Sequence, residues 1–311
     1  MNILILIPSW LGDSVMTTPA VENLVDFHKN SRITLIGSSV AIEVFKSHPN
    51  VVEAYPIDSK ITTLYQALKS LGRFDLFISF RGSFRASIIQ FFVSSKKKFK
   101  FNKNTYCDGH QVQKYNDFLN DSLKIQTIPG GLVLNFEKEI KVKKNKLLGI
   151  NPGASYGSAK QWYPEEFAKV ASNLADQFDI VIFGGPKEIS ICSDIENYLI
   201  KKGVTNYLNL ANKTSIEELI RKISMLDLLI TGDSGPMHLA AVFQIPTIAI
   251  FGPTKDKETS QWQNDNSVIV KKNLDCQPCM KRACPLNHHN CMKLIEASDV
   301  LHEAKAILFK N

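Results

Sequence analysis

Three short stretches place chemically competent side chains in turn-forming surroundings. The first, PSWLGDSVMTTPA (residues 8–20), follows the apolar run NILILI and holds Ser9, Gly12 and Asp13. Its pattern predicts a strand, a glycine turn and then a helix. Turns of that kind receive phosphate on backbone amides and the helix dipole, and a carboxylate on the same face opposes an anion. Asp13 therefore poses a question that the turn alone does not answer.

The second stretch, TGDSGPMHLAA (231–241), predicts another strand-to-helix turn. Gly232 and Gly235 permit tight turning, Ser234 can cap the helix and Pro236 suits its first turn. Amides at such a helix start make an anion site. Asp233 suits turn amides or a sugar hydroxyl better than a phosphate, and His238 lies close enough along the chain to assist one. The competing reading is a helix cap and nothing more. The third stretch, NPGASYGSAKQWYPEEF (151–167), is a small-residue loop that delivers Lys160 just ahead of a helix. Ser155 adds a hydroxyl donor, and Trp162 reads as packing. A lone loop lysine is usually solvated, but these last two loops leave strands of one domain toward one edge.

A fourth segment, CQPCMKRACPLNHHNC (276–291), has Cys276, Cys279, Cys284 and Cys291 in a C-x2-C-x4-C-x6-C spacing, with His288 and His289 nearby. Four thiolates at such spacing can form a structural zinc knuckle. The alternative is a surface loop of reduced thiols or a contact surface. Cys107 and Cys192 stand apart and read as ordinary thiols.

Short apolar runs alternate with amphipathic stretches along the whole chain, which predicts an α/β protein with parallel sheets. Strands are expected at NILILI, RITLIGS (32–38), VVEAYPI (51–57) and FDLFISF (74–80). The lysine-rich run EKEIKVKKNK (137–146) reads as a linker. The pattern then restarts with LLGINPG, FDIVIFGGP, DLLITG and PTIAIFGPT, while TSIEELIRKIS opens with a capping-box pattern, Ser215 with Glu218. This predicts two Rossmann-like domains, 1–146 and 147–311, whose strand ends face across a cleft, with a terminal helix able to pack back on the first domain.

The composition, 44% hydrophobic and 22% charged, is that of an ordinary soluble protein. No apolar run approaches the roughly 20 residues of a membrane span. The apolar start lacks a basic leader and a cleavage site, so a cytoplasmic protein is expected. The net charge of +7 is uneven: SSKKKFKFNKN (94–104) carries Lys96, Lys97, Lys98, Lys100 and Lys103. A lysine-protected edge strand and a patch for an anionic membrane or glycolipid surface both fit. No nucleic-acid motif accompanies the charge, and no GxGxxG follows the first strand, which argues against a dinucleotide-dependent dehydrogenase.

In order and spacing, PSWLGDSVMTTPA, NPGASYGSAKQWYPEEF and TGDSGPMHLAAVFQIPTIAIFGPT resemble glycosyltransferase family 9, the ADP-heptose–lipopolysaccharide heptosyltransferases. The CxPC…CPLxHHNC element is similar to the heptosyltransferase II branch. The resemblance implies a GT-B fold with an N-terminal acceptor domain and a C-terminal ADP-heptose domain. It implies inverting transfer of heptose, without a metal or other cofactor, to the first heptose of the Kdo-lipid A inner core. By motif, Asp13 matches the general base and Lys160 the phosphate-binding lysine. Asp233, Ser234, Gly235 and His238 match the nucleotide-side turn, and Ser9 and Gly12 the N-terminal loop. Gln161 departs from the pattern, which often has arginine there. Heptosyltransferase I activity, or a nucleotide-binding module without catalysis, are the alternatives.

Overall fold

The computed structural model describes residues 1–57, 68–136, 145–153 and 156–309. The chain forms two compact units, Met1–Glu137 and Lys138–Asn311. Of the run read as a linker, residues 137–144 lie outside the described residues, and Lys146 already begins a strand.

The first unit is built on β1 (Asn2–Leu6), β2 (Arg32–Gly37), β3 (Val51–Pro56), β4 (Arg73–Ser79) and β5 (Ser94–Lys100), ordered β3-β2-β1-β4-β5 with every neighbour parallel. Ile3 to Ile7 are fully buried, as expected for a central strand covered on both faces. Gly37 ends β2 where an added Cβ would stand 2.5 Å from the Ile7 side chain, so the strand ends draw together only with glycine there. β5 is the lysine-rich segment, and it is indeed an edge strand. Lys96 pairs with Asp75 at 2.7 Å, while Phe101 just beyond β5 enters an aromatic cluster with Phe80, Tyr115 and Phe118.

The second unit holds β6 (Lys146–Asn151), β7 (Phe178–Ile182), β8 (Tyr207–Asn209), β9 (Leu228–Gly232), β10 (Thr247–Ile250) and β11 (Ser267–Val270), all parallel and ordered β11-β10-β9-β6-β7-β8. The Pro164–Leu174 helix begins with proline and two glutamates, and the Ile216–Ser224 helix carries the Ser215–Glu218 capping box. Trp162 packs edge-on against Phe167 and donates its indole N–H to Ile295 O at 2.9 Å. The Ala297–Phe309 helix sends Val300, Ala304 and Ile307 into the core of this second unit. Its anchor is Glu166, which accepts the Ala297 N–H at 2.7 Å. Among the described residues no helix is long and apolar enough to cross a membrane.

Candidate active-site residues

β1 is central in its sheet, with β2 on one side and β4 on the other, so its carboxyl end lies at a topological switch point. The chain turns there through Pro8, Ser9 and Trp10. Ser38 Oγ donates to Ser9 O at 2.8 Å, and Ser14 Oγ donates to Pro8 O at 3.1 Å. The Leu11–Met16 helix begins immediately, so Gly12 and Asp13 are its second and third residues. The glycine turn expected from the sequence is a helix start instead, and the bends at Pro8–Trp10 replace it. Gly12 is buried and Asp13 half-buried, with Asp13 at a position where the helix dipole favours a negative charge. Tyr115, from the Gln111–Leu123 helix, is buried nearby. Burial holds its phenol well above the usual tyrosine range, and the Asp13 charge adds to that shift. Tyr115 is thus a neutral phenol beside a carboxylate.

In the second unit the chain runs outward from β6 to β8 and returns through β9 on the other side. Adjacent β6 and β9 flank that sheet's switch point, and the loops leaving them carry Lys160 and Asp233. Asn151 and Thr231 are in register. The Asn151 amide donates to Thr231 Oγ1 at 3.0 Å and to Ser234 Oγ at 2.9 Å, and the two hydroxyls lie 3.0 Å apart. Ser234 therefore spends its side chain on joining the strand ends and does not cap the Gly235–Val242 helix, contrary to expectation. Pro236 is in the first turn as expected, and neither Gly232 nor Gly235 takes a positive φ. His238 is buried within this helix at 3% exposure.

Among the described residues Asp233 meets no turn amide, and it is nearly enclosed. Its Oδ2 accepts Lys160 Nζ at 2.5 Å and Thr254 Oγ1 at 2.7 Å, with Lys160 Nζ also 3.4 Å from Asp233 O. The Lys160 and Asp233 side chains are only 12% and 7% exposed. An ammonium has three donors, and these contacts engage two. Nζ also lies 4.8 Å from the centre of the Tyr156 ring, with the Arg282 guanidinium 5.5 Å from the same ring. Positive charge is thereby gathered around one aromatic ring next to the Asp233 turn. A cavity of about 280 Å³ adjoins it, lined by Thr254, Asp256, Lys271, Leu274 and neighbouring residues. Ser155 lies outside the described residues.

The cysteine-rich segment acts as a buttress for the Lys160 loop. Tyr156 donates its hydroxyl to Met280 O at 2.7 Å, and Ala159 N donates to Arg282 O at 3.0 Å. His289 Nε2 lies 3.0 Å from Ala159 O and Nδ1 lies 3.2 Å from Tyr163 Oη. The tautomer with a proton on Nε2 donates to the carbonyl and accepts from the phenol. Gly157 is required at this contact, since a Cβ would stand 2.9 Å from the carbonyl carbon and Cα of Arg282. Cys276, Cys279, Cys284 and Cys291 all line one small cavity of about 20 Å³. Yet among the described residues no three Cys, His, Asp or Glu side chains are placed to hold a metal ion. Cys291 also packs into the sheet core, while the other three sit half-buried on the loop. Burial and the neighbouring thiols push Cys291 up to about 11. Backbone N–H groups, that of His289 foremost, hold Cys284 below the usual thiol range.

Residues 61–290 match the family model for glycosyltransferase family 9 (heptosyltransferase). The chain belongs to glycosyltransferase family 9. A lipooligosaccharide heptosyltransferase 2 of Campylobacter jejuni (serotype O:2) is 43% identical to it, over 99% of this chain and 98% of that protein. Among solved structures, Escherichia coli ADP-heptose lipopolysaccharide heptosyltransferase II superposes with a TM-score of 0.81 at 21% identity, covering 100% of this chain and 99% of that one. Escherichia coli heptosyltransferase WaaC, solved with ADP, gives 0.75 at 16% identity over 99% and 100% of the two chains. The two parallel-sheet units of this family 9 chain are those of the GT-B fold, and the protein is a glycosyltransferase.

Several residues around these two switch points escape sequence reading. Thr254, Asn151, Tyr156, Arg282 and Tyr115 meet their partners across long stretches of chain. Only Asn151, at the end of an apolar strand, and Thr254, in the GPT turn after another, carry a local signal, namely their position at a strand's carboxyl end.

Proposed function

We propose that the protein transfers heptose from ADP-heptose to the first heptose of the Kdo-lipid A inner core of lipopolysaccharide, with inversion at the anomeric carbon. The observation that carries this reading is the full-length similarity to a heptosyltransferase 2, with chemically suitable groups at both switch points. Asp13 takes the proton from the acceptor hydroxyl as that oxygen attacks the anomeric carbon and the bond to ADP breaks. A positioned base of this kind is worth roughly 10²–10⁴ in rate. The third N–H of Lys160 and the start of the Gly235–Val242 helix meet the diphosphate and stabilise the charge gathering on the leaving group. Asp233 holds the ammonium in place without touching the anion. The cavity beside Thr254 takes the nucleoside. Positive charge from lysine and helix amides does the work that a divalent cation does elsewhere, so transfer is expected to persist in a chelator.

The acceptor is an amphiphile made at the inner membrane, and the enzyme acts on it from the cytoplasmic side. Incubation with ADP-heptose and defined truncated acceptors tests the assignment. Turnover on the mono-heptosylated acceptor and none on the heptose-free one is expected. The reverse preference assigns the protein as heptosyltransferase I, and ADP binding with no turnover on either acceptor makes it a binding module.

A further inference from the structure

The Phe84–Phe92 helix is apolar on two sides, and among the described residues one of them packs into a hydrophobic core. Ala86 and Ile89, with Val93 just past its end, enter the first core. On the other side Phe84, Ile88 and Phe91 stand at i, i+4 and i+7, which is a single helical face. Phe84 is 82% exposed and Phe91 78%, with Phe92 beside them at 43%. Single exposed apolar residues are ordinary, but an aromatic stripe along one helix face marks a contact surface.

The surroundings say what kind of contact. From Arg81 to Lys103 the chain has seven Lys and Arg and no Asp or Glu, so this segment alone equals the net charge of +7. The remaining chain carries equal numbers of cations and carboxylates. Two of these cations are fixed onto the helix itself. Lys98 Nζ donates to Gln90 O at 2.9 Å and Phe91 O at 3.3 Å, and Lys100 Nζ donates to Ser87 Oγ at 2.5 Å. Lys103 is exposed, Lys96 pairs with Asp75, and Lys97, alternate to Lys98 along β5, faces the other side of the sheet, where its charge acts on His28. Aromatic rings inserted at the acyl boundary, with ammonium groups at headgroup level, are the chemistry of an interfacial helix on an anionic bilayer.

We propose that the Phe84–Phe92 helix, with the lysines of β5, docks the first unit onto a membrane surface bearing anionic headgroups. This surface lies outside the residues assigned to glycosyl transfer and does not depend on that assignment. One weak anchor gives reversible binding, suited to an enzyme that must leave the surface between encounters.

Co-sedimentation of the full chain with vesicles of phosphatidylethanolamine and phosphatidylglycerol (3:1), and with pure phosphatidylcholine, tests this. The wild type is expected to bind the anionic vesicles and to bind the neutral ones about tenfold or more weakly, as ammonium groups near an anionic surface predict. The Phe84→Ser/Phe91→Ser variant is expected to lose about tenfold or more on anionic vesicles, from the loss of ring insertion. Both side chains are exposed, so circular dichroism of the variant should match the wild type, and transfer to a deacylated, water-soluble acceptor should be unchanged. Equal binding to both vesicle types, or equal binding by the variant, overturns the proposal. So does a wild-type dimer that the variant converts to monomer without any vesicle binding, which would assign the stripe to a second copy of the chain.

Discussion

The end of β1 and the paired ends of β6 and β9 occupy equivalent places in their sheets, and each carries an aspartate. Their surroundings differ in kind. Asp233 is buried against a lysine and a threonine hydroxyl, so its charge is neutralised where it stands. Asp13 is half-buried at a helix start beside a phenol held neutral. The same topological position thus supports a carboxylate that organises a cation in one unit and a half-buried carboxylate at a helix start beside a phenol in the other. Neighbouring charge, more than the turn, decides which.

Breaking either side should have a different signature. Asp13→Asn should reduce kcat about 10²–10⁴-fold, the usual worth of a general base, with melting temperature unchanged. A mutant that transfers heptose at the wild-type rate removes Asp13 from the chemistry. Asp233→Asn leaves the Lys160 ammonium short of its carboxylate in a nearly dry site, and loss of one partner of a buried pair costs about 3–5 kcal/mol. Denaturant unfolding should show that loss; a change below 1 kcal/mol would mean the pair is solvated in solution. Gly157→Ala should push the Lys160 loop off Arg282, raise the KM for the donor severalfold and, because Lys160 also stabilises the leaving group, lower the single-turnover rate at saturation. Equal KM would show that the cysteine-rich segment does not support the loop.

The smallest effect concerns the buttress itself. Amide donors lower the Cys284 thiol, while burial pushes Cys291 up to about 11 and Cys192 up to about 12. Because thiolate is the reactive form, iodoacetamide at neutral pH should label Cys284 before either, and labelling should accelerate as pH rises toward the Cys291 value. Mass spectrometry that finds Cys291 modified first would contradict this picture.

The strands with long apolar runs, the proline-opened helices and the Ser215–Glu218 cap were legible in the sequence because each is decided by residues within one turn or strand of each other. Lys160 and Asp233 were legible singly but not as a pair, since 73 residues separate them and only the β6–β9 adjacency unites them. Ser234 was misassigned as a cap because a serine before a helix satisfies the local rule, while the competing Asn151 amide arrives from 83 residues away. The cysteine spacing marked four thiols that line one small cavity, but it could not reveal that Cys291 also packs into the sheet core. The helix from Phe84 to Phe92 is hard to read for a different reason: apolar residues on two sides leave only Ser87 and Gln90 as a narrow polar strip to mark its period.

The division of labour between the two units is tested most directly by calorimetric titration of ADP into wild type, Asp13→Asn and Lys160→Ala side by side. An unchanged Kd is expected for Asp13→Asn and a loss of roughly 10–100-fold for Lys160→Ala, the worth of one charge-assisted hydrogen bond. An unchanged Kd for Lys160→Ala, or a comparable loss for Asp13→Asn, would contradict it.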